Sequence, residues 1–147
     1  MADVLVLGGG SAGFYTALLC ASNGLDVTLV EKESLGGTGF RYGALPIKIL
    51  LDGIRQNPCI YFEKLLEDYC VKMADVQNKL ENDLKEAGVR VVFGEGHFVQ
   101  KDEVKVGDKI IKAKYIVIAT GSRPDNIFKT SYGNNILTHK EALFMDQ

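Results

Sequence analysis

Six residues near the start of the chain, Gly8 to Gly13, read G-G-G-S-A-G and fit the spacing G-x-G-x-x-G. They follow a short apolar run and open a stretch with helical periodicity, which is the context in which this spacing is informative. Gly8 permits a tight turn, Gly10 lets backbone N–H groups approach a diphosphate at the helix start (Ser11, Ala12), and Gly13 allows close helix–strand packing. The loop therefore predicts a dinucleotide diphosphate site.

An acidic residue is expected about 20 residues after such a loop, and Glu31 lies 21 residues after Gly10. A carboxylate at the end of a second strand can accept both ribose hydroxyls of an adenosine. It would repel a 2′-phosphate, which argues against NADP at this position. Lys32 follows it and is included in the candidate site. The alternative is a glycine-rich turn followed by a surface glutamate.

The elements that must position these residues form a β-α-β unit. Apolar runs at 3–7 and 26–30 are typical of strands buried on both faces of a parallel sheet. Between them, 11–23 is predicted as a helix whose apolar stripe is formed by Ala12, Tyr15, Leu18 and Leu19. The crossover that joins the two strands is expected to be right-handed.

A second glycine-rich loop at 36–43 precedes a predicted short helix at 44–55. Asn57-Pro58 then predicts the start of a long helix that Gly88 ends. Its core-facing stripe is predicted to comprise Phe62, Leu66, Tyr69, Met73, Val76, Leu80 and Leu84. A coiled coil of about three heptads is an alternative for this stripe.

The last third of the chain changes to short alternating strands, predicted at 89–93, 97–99, 104–106 and 109–113. Gly107-Asp108 is the expected turn between the last two of these strands. A buried strand follows at 115–119 and ends in Thr120-Gly121-Ser122. A short helix is predicted at 140–144.

The stretch 36–48 reads G-G-T-G-F-R-Y-G-A-L-P-I-K. Together with G-G-G-S-A-G, V-E-K-E, G-E-G and A-T-G-S-R-P, in this order, it resembles the FAD domain of the pyridine nucleotide–disulfide oxidoreductases, the dihydrolipoamide dehydrogenase and glutathione reductase family. The resemblance runs from Val4 to about Phe144. It implies an α/β fold, a Rossmann-like parallel sheet with helices and a small antiparallel β-meander, with FAD as cofactor.

The resemblance also assigns roles to particular positions. Gly36, Gly37, Thr38 and Gly43 match the family's second cofactor loop, along the diphosphate and ribityl chain. Lys48 matches a lysine beside flavin N5, and Gly96 matches a backbone site that faces the adenine. Thr120, Gly121 and Ser122 match a strand-end turn near the flavin. A solvated helix lysine and a plain strand-terminating turn are the alternatives for Lys48 and for the turn. No residue is assigned a catalytic role.

Two positions depart from the family pattern, because Gly39 and Ala44 stand where the family has its redox cysteines. Cys20, Cys59 and Cys70 lie elsewhere and do not replace them. The resemblance therefore implies a flavin-dependent, NAD(P)H-linked oxidoreductase that lacks the redox-active disulfide. The alternatives are a non-catalytic module for FAD or an adenine nucleotide, and a remnant that binds no cofactor.

The family's chains are much longer than 147 residues. The resemblance implies that residues 1–147 are the first segment of an incomplete FAD domain, without the NAD(P) and dimerisation domains. NAD(P)H would then act only through the missing domain, and this piece is expected to be inactive alone. A piece cut at a domain boundary, a degradation product and a natural short protein are the three explanations. An open sheet edge predicts self-association or a homo-oligomer.

Composition excludes several other classes. Hydrophobic residues make up 46% of the chain and its net charge is −2, without a Lys/Arg block, so neither disorder nor nucleic-acid binding is expected. No apolar stretch approaches a membrane span, and the start does not fit a secretory signal. Three cysteines without a signal predict reduced thiols in the cytoplasm. No Cys/His spacing predicts a metal site.

Overall fold

The computed structural model describes residues 1–125 and 136–143. In chain order the elements are β1 (Ala2–Leu7), α1 (Ser11–Ser22), β2 (Val27–Glu31), α2 (Gly37–Arg41), α3 (Ala44–Gln56), α4 (Phe62–Glu86), β3 (Arg90–Phe93), β4 (Gly96–Gln100), β5 (Glu103–Val106), β6 (Lys109–Ile118) and α5 (His139–Leu143). The strands form one sheet in the order β3-β2-β1-β6-β5-β4. The first four are parallel and the last two form an antiparallel meander with β6. The predicted fold class is confirmed.

The central strand β1 is buried on both faces, as its apolar run predicts. Val4 and Val6 face a core that α1 and α4 cover, and this core includes Phe14 and Leu84. Leu5 and Leu7 of β1 face a second core, which the meander covers. This core also contains Val104, Val106 and Ala113 from the meander. The period of two along a strand thus places helices on one face of the sheet and the meander on the other.

One strand, β6, joins the two halves of the sheet, where the sequence predicts two separate strands. Residues 109–112 pair antiparallel with β5, and residues from Ala113 onward pair in parallel with β1. Because one extended segment changes partner without a turn, its change of pattern resembles a break between strands. The predicted turn at Gly107-Asp108 is confirmed, since Val106 pairs with Lys109.

Helix α1 turns a different face to the core from the predicted one. Tyr15 and Leu19 are 66% and 67% exposed, and the buried residues are instead Gly13, Phe14 and Ala17. A Cβ on Gly13 would lie well under 3.0 Å from the carbonyl oxygen of Gly8. The inward face is therefore set by close backbone approach at Gly13. Of the predicted stripe, Leu18 packs against the core, whereas Ala12, Tyr15 and Leu19 are exposed.

Helix α4 begins at Phe62, later than Asn57-Pro58 predicts. The Asn57 side chain accepts a hydrogen bond from the Cys59 N–H at 3.1 Å, so it caps a turn before the helix. Phe62 is 48% exposed, and Leu65 is buried in its place. The rest of the predicted stripe is buried or half-buried: Leu66, Tyr69, Met73, Val76, Leu80 and Leu84. The predicted long helix and its inward face are otherwise confirmed.

The outer edge of β6 differs from the rest of the parallel sheet. Within residues 1–125 and 136–143, no strand pairs with residues 115–118 on the side away from β1. Tyr115 and Ile118 are 71% and 67% exposed there. Helix α5 nearly matches its prediction, although Phe144 lies outside the described residues. Among the helices described, none combines the length and the apolar character that crossing a membrane would need.

Candidate functional site

A cavity of about 660 Å³ lies at the carboxyl ends of β1, β2 and β6. The chain passes from β1 to β2 on one side and places β6 on the other, so this is a topological switch point, where open α/β sheets bind ligands. Most of the predicted site residues line it: Gly8, Gly10, Ser11, Ala12, Glu31, Lys32, Gly36, Gly37, Thr38, Gly96, Thr120, Gly121 and Ser122.

The first loop is enclosed by backbone. Gly8 has a φ of +102°, a conformation that favours glycine, and its N–H donates to the Val30 carbonyl at 2.8 Å. A Cβ on Gly8 would lie well under 3.0 Å from the carbonyl oxygen of Ala119. The turn after β1 therefore lies in close contact with the ends of both β2 and β6.

The N-terminus of α1 opens into the cavity. Gly10 is the N-cap residue, and no side chain caps the helix there. Ser11 and Ala12, in the first turn, line the cavity and are exposed. Because the first N–H groups of a helix have no partner within it, they form a positive end that suits a phosphate.

Glu31 is 9% exposed and holds two backbone groups. One carboxylate oxygen, Oε2, accepts the Gly9 N–H at 2.6 Å, and the other, Oε1, accepts the Glu33 N–H at 2.8 Å. Each carboxylate oxygen has a further lone pair, so both can still accept a ribose hydroxyl. The same side chain therefore fixes the first loop and offers acceptors to a ligand.

The second loop touches the first through backbone. The Gly36 N–H donates to the Gly9 carbonyl at 2.8 Å, and Gly10 and Gly36 form an isolated parallel bridge. A Cβ on Gly37 would lie 2.8 Å from the Cα of Gly10. The two loops consequently form one continuous backbone cradle, and a side chain at this junction would close it.

Helix α4 supports the second loop with side chains that the sequence reasoning missed. Gln77 Nε2 donates to the Leu35 carbonyl at 2.7 Å, and the Tyr69 hydroxyl donates to the Arg41 carbonyl at 3.3 Å. Burial raises the pKa of Tyr69, which keeps this donor protonated. The sequence predicts Tyr69 to face inward as part of the stripe, whereas for Gln77 the signal is its position beside the stripe residue Val76.

Three predicted site residues do not line the cavity. Gly13 lies beneath it, packed against Gly8. Gly43 is the N-cap residue of α3, close to Thr38 and Gly39. Lys48 lies on α3 and is exposed. The role that the resemblance gives Lys48, beside a flavin, stays a prediction.

The cavity also has charged and aromatic lining that the sequence did not predict: Glu33, Arg41, Tyr42, Glu95, Arg123 and Lys140. Arg41 forms an ion pair with Glu33, and its hydrogen bond lowers the pKa of Glu33. The Arg41 guanidinium and the Lys140 ammonium lie 4.7 and 4.5 Å from the centre of the Tyr42 ring. No sequence signal links Lys140 to Tyr42, because they are far apart in the chain.

The described residues contain no group of side chains suited to bind a metal ion. Within the ranges that the structure describes, no three His, Cys, Asp or Glu residues could together hold a metal ion. The chain's three cysteines are free thiols: Cys20 packs against the helix-side core, and Cys59 and Cys70 are exposed.

The chain is similar in sequence to a known enzyme family. The Pyridine nucleotide-disulphide oxidoreductase family model matches residues 2–145. Dihydrolipoyl dehydrogenase 2 of Haloarcula marismortui is 30% identical over 98% of this chain. Dihydrolipoyl dehydrogenase of Bacillus subtilis is 33% identical over 99% of it. The chain spans 35% of the length of each of these relatives.

A solved structure shares the fold. The HOCl-induced flavoprotein disulfide reductase RclA from Escherichia coli superposes with a TM-score of 0.76 at 24% identity. The match covers 84% of this chain and 29% of that one. The family model covers nearly the whole chain, and the chain therefore belongs to the pyridine nucleotide-disulphide oxidoreductase family.

Proposed function

We propose that this chain is the FAD-binding part of a flavin-dependent, NAD(P)H-linked oxidoreductase that works without a redox-active disulfide. The observation that carries the proposal is the cradle at the switch point, where two glycine loops touch and Glu31 holds the first of them. Family membership supports a flavin in this cradle.

The residues present fit the two phosphates and the adenosine of FAD. A Cβ on Gly37 would lie 2.8 Å from the Cα of Gly10, so the cradle excludes a side chain at Gly37, and the uncapped start of α1 suits the diphosphate. Glu31 would hold the adenosine ribose, and Gly96 would face the adenine. Thr38 and the turn 120–122 would lie along the flavin half. When bound, FAD supplies the hydride and electron chemistry.

The absence of the disulfide is inferred from residue types. Family members place cysteines where this chain has Gly39 and Ala44, and its own three thiols lie elsewhere as free cysteines. Neither glycine nor alanine can form a thiolate, so electrons would leave a bound flavin directly for an acceptor.

The rest of the catalytic cycle is assigned to protein outside this chain. The chain spans 35% of its curated relatives, so we propose that NAD(P)H acts through a further domain. We infer that residues 1–147 form the first segment of the FAD domain and do not turn over substrate alone.

Self-association is proposed at the outer edge of β6. Within the described part of the chain, the backbone of 115–118 is unpaired on that side, and together with the exposed Tyr115 and Ile118 it is a surface that a second copy can cover by strand addition. Concentration-dependent sedimentation would support this, and a monomer at all concentrations would contradict it. Cytoplasmic location and the lack of a nucleic-acid partner stay predictions from composition.

A second candidate function is an adenine-nucleotide module without flavin. It is favoured by one observation: the adenosine side around Glu31 is tightly built, whereas Lys48 lies outside the cavity. NAD or ADP would satisfy the same carboxylate and helix start.

The test is an absorption spectrum of the purified chain, followed by denaturation and identification of any released nucleotide. Released flavin supports the proposal, and adenine nucleotide without flavin supports the second candidate. If nothing is released, failure to bind added FAD contradicts the proposal, and failure to bind added NAD or ADP contradicts the second candidate. NADH and NADPH are then added, and we expect no measurable oxidation by this chain alone.

A further inference from the structure

Three residues from two parts of the chain meet at one end of the cavity. Arg41 ends α2, Tyr42 follows it, and Lys140 comes from α5. Both cationic groups lie within 5 Å of the Tyr42 ring centre, at 4.7 and 4.5 Å. Such cation–π contacts restrict two long side chains that otherwise have many rotamers. We call these three residues the Tyr42 cluster.

Among the described residues, Lys140 of the Tyr42 cluster forms no ion pair, and its charge adds to the effect of Arg41 in lowering the pKa of Glu33. Glu33 forms an ion pair with Nη1 of Arg41. Within residues 1–125 and 136–143, Lys140 has no carboxylate oxygen within 4.0 Å. Two cations thus face one carboxylate, and the ammonium of Lys140 keeps donors for a ligand.

Free volume lies beside the cluster. Gly39, two residues before Arg41, lines the same cavity, and a Cβ built on it meets nothing within 4 Å. A ligand can therefore occupy the space next to Gly39 while its charged end reaches Lys140. The Tyr42 ring lines the same cavity and lies against the Lys140 ammonium, so it supplies an aromatic surface for the ligand.

We propose that the Tyr42 cluster is a recognition site for a small organic carboxylate, with the carboxylate on Lys140 and its body beside Gly39. The proposal rests on the proposed function in one respect, since the ligand would share the cavity with FAD. We assign this carboxylate to a substrate and not to the cofactor. The alternative is that Lys140 binds a phosphate of FAD, and the experiment distinguishes these two ligands.

The experiment titrates the full chain with benzoate by calorimetry, with and without saturating FAD, and benzamide is the uncharged control. We expect benzoate to bind in both states and benzamide to bind at least about tenfold more weakly. Lys140→Gln is expected to weaken benzoate binding about tenfold, and Lys140→Arg to restore most of it. Lys101→Gln, which removes an exposed cation outside the cavity, is expected to change nothing.

The affinity for FAD decides between the two sources of the anion. We expect Lys140→Gln to leave the dissociation constant of FAD within about twofold of wild type, because the α1 N-terminus holds the diphosphate. Weaker FAD binding by this variant, together with loss of benzoate binding on adding FAD, would assign Lys140 to the cofactor and overturn the proposal. Equal binding of benzoate and benzamide would overturn it too. Failure of FAD to bind would contradict only the proposed function, since benzoate is also titrated without FAD.

Discussion

Backbone encloses the first glycine loop, residues 8–13, whereas side chains from α4 hold much of the second, residues 36–43. In the first loop, a Cβ on Gly8 or Gly13 would meet a carbonyl oxygen at well under 3.0 Å. In the second, Gln77 and Tyr69 hold the loop from beneath, and a Cβ on Gly39 meets nothing within 4 Å. Backbone thus excludes a Cβ at both ends of the first loop, whereas the second loop excludes one at its start and leaves open space at Gly39.

This difference bears on how the cysteine positions could change. Position 39 faces open space, so packing does not restrict which residue type can stand there. Replacing a cysteine there with glycine leaves the loop's hydrogen bonds to Gly9 and to Gln77 in place. The proposed function requires that the backbone cradle keep its shape without a cysteine at position 39, and these hydrogen bonds are compatible with that requirement.

The largest expected effect comes from adding one methyl group to the enclosed loop. Gly13→Ala places a Cβ against the Gly8 carbonyl, and neither backbone segment can move without separating α1 from β1. We expect a loss of about 3 kcal/mol or more in the free energy of unfolding, measured by urea denaturation.

Gly39→Ala is the matched control, because it adds the same methyl group within α2 of the second loop. Its free energy of unfolding is expected to stay the same or to rise by up to about 1 kcal/mol, since alanine is the better helix former. Similar losses for both variants would show that the two loops are equally enclosed and would remove the comparison.

The next effect concerns Glu31, the carboxylate that fixes the first loop and that we propose as the acceptor for the ribose of FAD. Glu31→Gln keeps the shape of the side chain but removes the charge and replaces one of the two acceptor oxygens with an amide donor, so we expect FAD to bind about 1.5–3 kcal/mol more weakly. Equilibrium titration followed by flavin fluorescence measures this. Glu95→Gln removes an exposed carboxylate from the same cavity and is expected to leave the affinity unchanged. Equal effects of the two changes would mean that general charge, and not the position of Glu31, governs binding.

The sequence predicts the residues and contacts of the first loop more completely than those of the second. Gly8, Gly10, Gly13 and Glu31 lie within one β-α-β unit, where local spacing fixes which residues come together. The same reasoning misassigned the inward face of α1, since apolar bulk does not reveal how closely Gly13 approaches Gly8.

The second loop depends on contacts that local spacing does not encode. Gln77 and Lys140 reach it from α4 and α5, and only the assembled fold shows that they do. Likewise, β6 was predicted as two strands because one segment pairs first with β5 and then with β1. Long-range pairing decided each of these features.

A smaller effect is expected from the main support of the second loop. Gln77→Ala removes the donor to the Leu35 carbonyl, which we expect to cost about 1 kcal/mol of unfolding free energy. Asn78→Ala, at the exposed neighbouring position, is the control and is expected to cost less than about 0.5 kcal/mol. Faster amide hydrogen exchange at Gly36 and Gly37 in Gln77→Ala alone would place the loss in the second loop. No change there would show that the loop is held by its backbone contacts with Gly9 and Gly10.

The smallest effect is expected at the ion pair on the rim of the second loop. Arg41 lowers the pKa of Glu33 below its ordinary value of 4.5, so the pair stabilises the fold above that pH. This contribution is lost as the pH falls through the lower pKa of the folded state, because protonated Glu33 no longer pairs with Arg41. Glu33 is 42% exposed, so the pair is worth about 0.5 kcal/mol and less in high salt.

The measurement is the difference in unfolding free energy between wild type and Glu33→Gln at several pH values. We expect a difference of about 0.5 kcal/mol at pH 7 that shrinks below pH 4.5, since the variant cannot titrate at this position. Asp3 also has a lowered pKa, caused by Lys114, but it is present in both proteins and cancels. A difference that stayed constant down to low pH would show that Glu33 acts through packing, and the rim of the second loop would then not depend on charge.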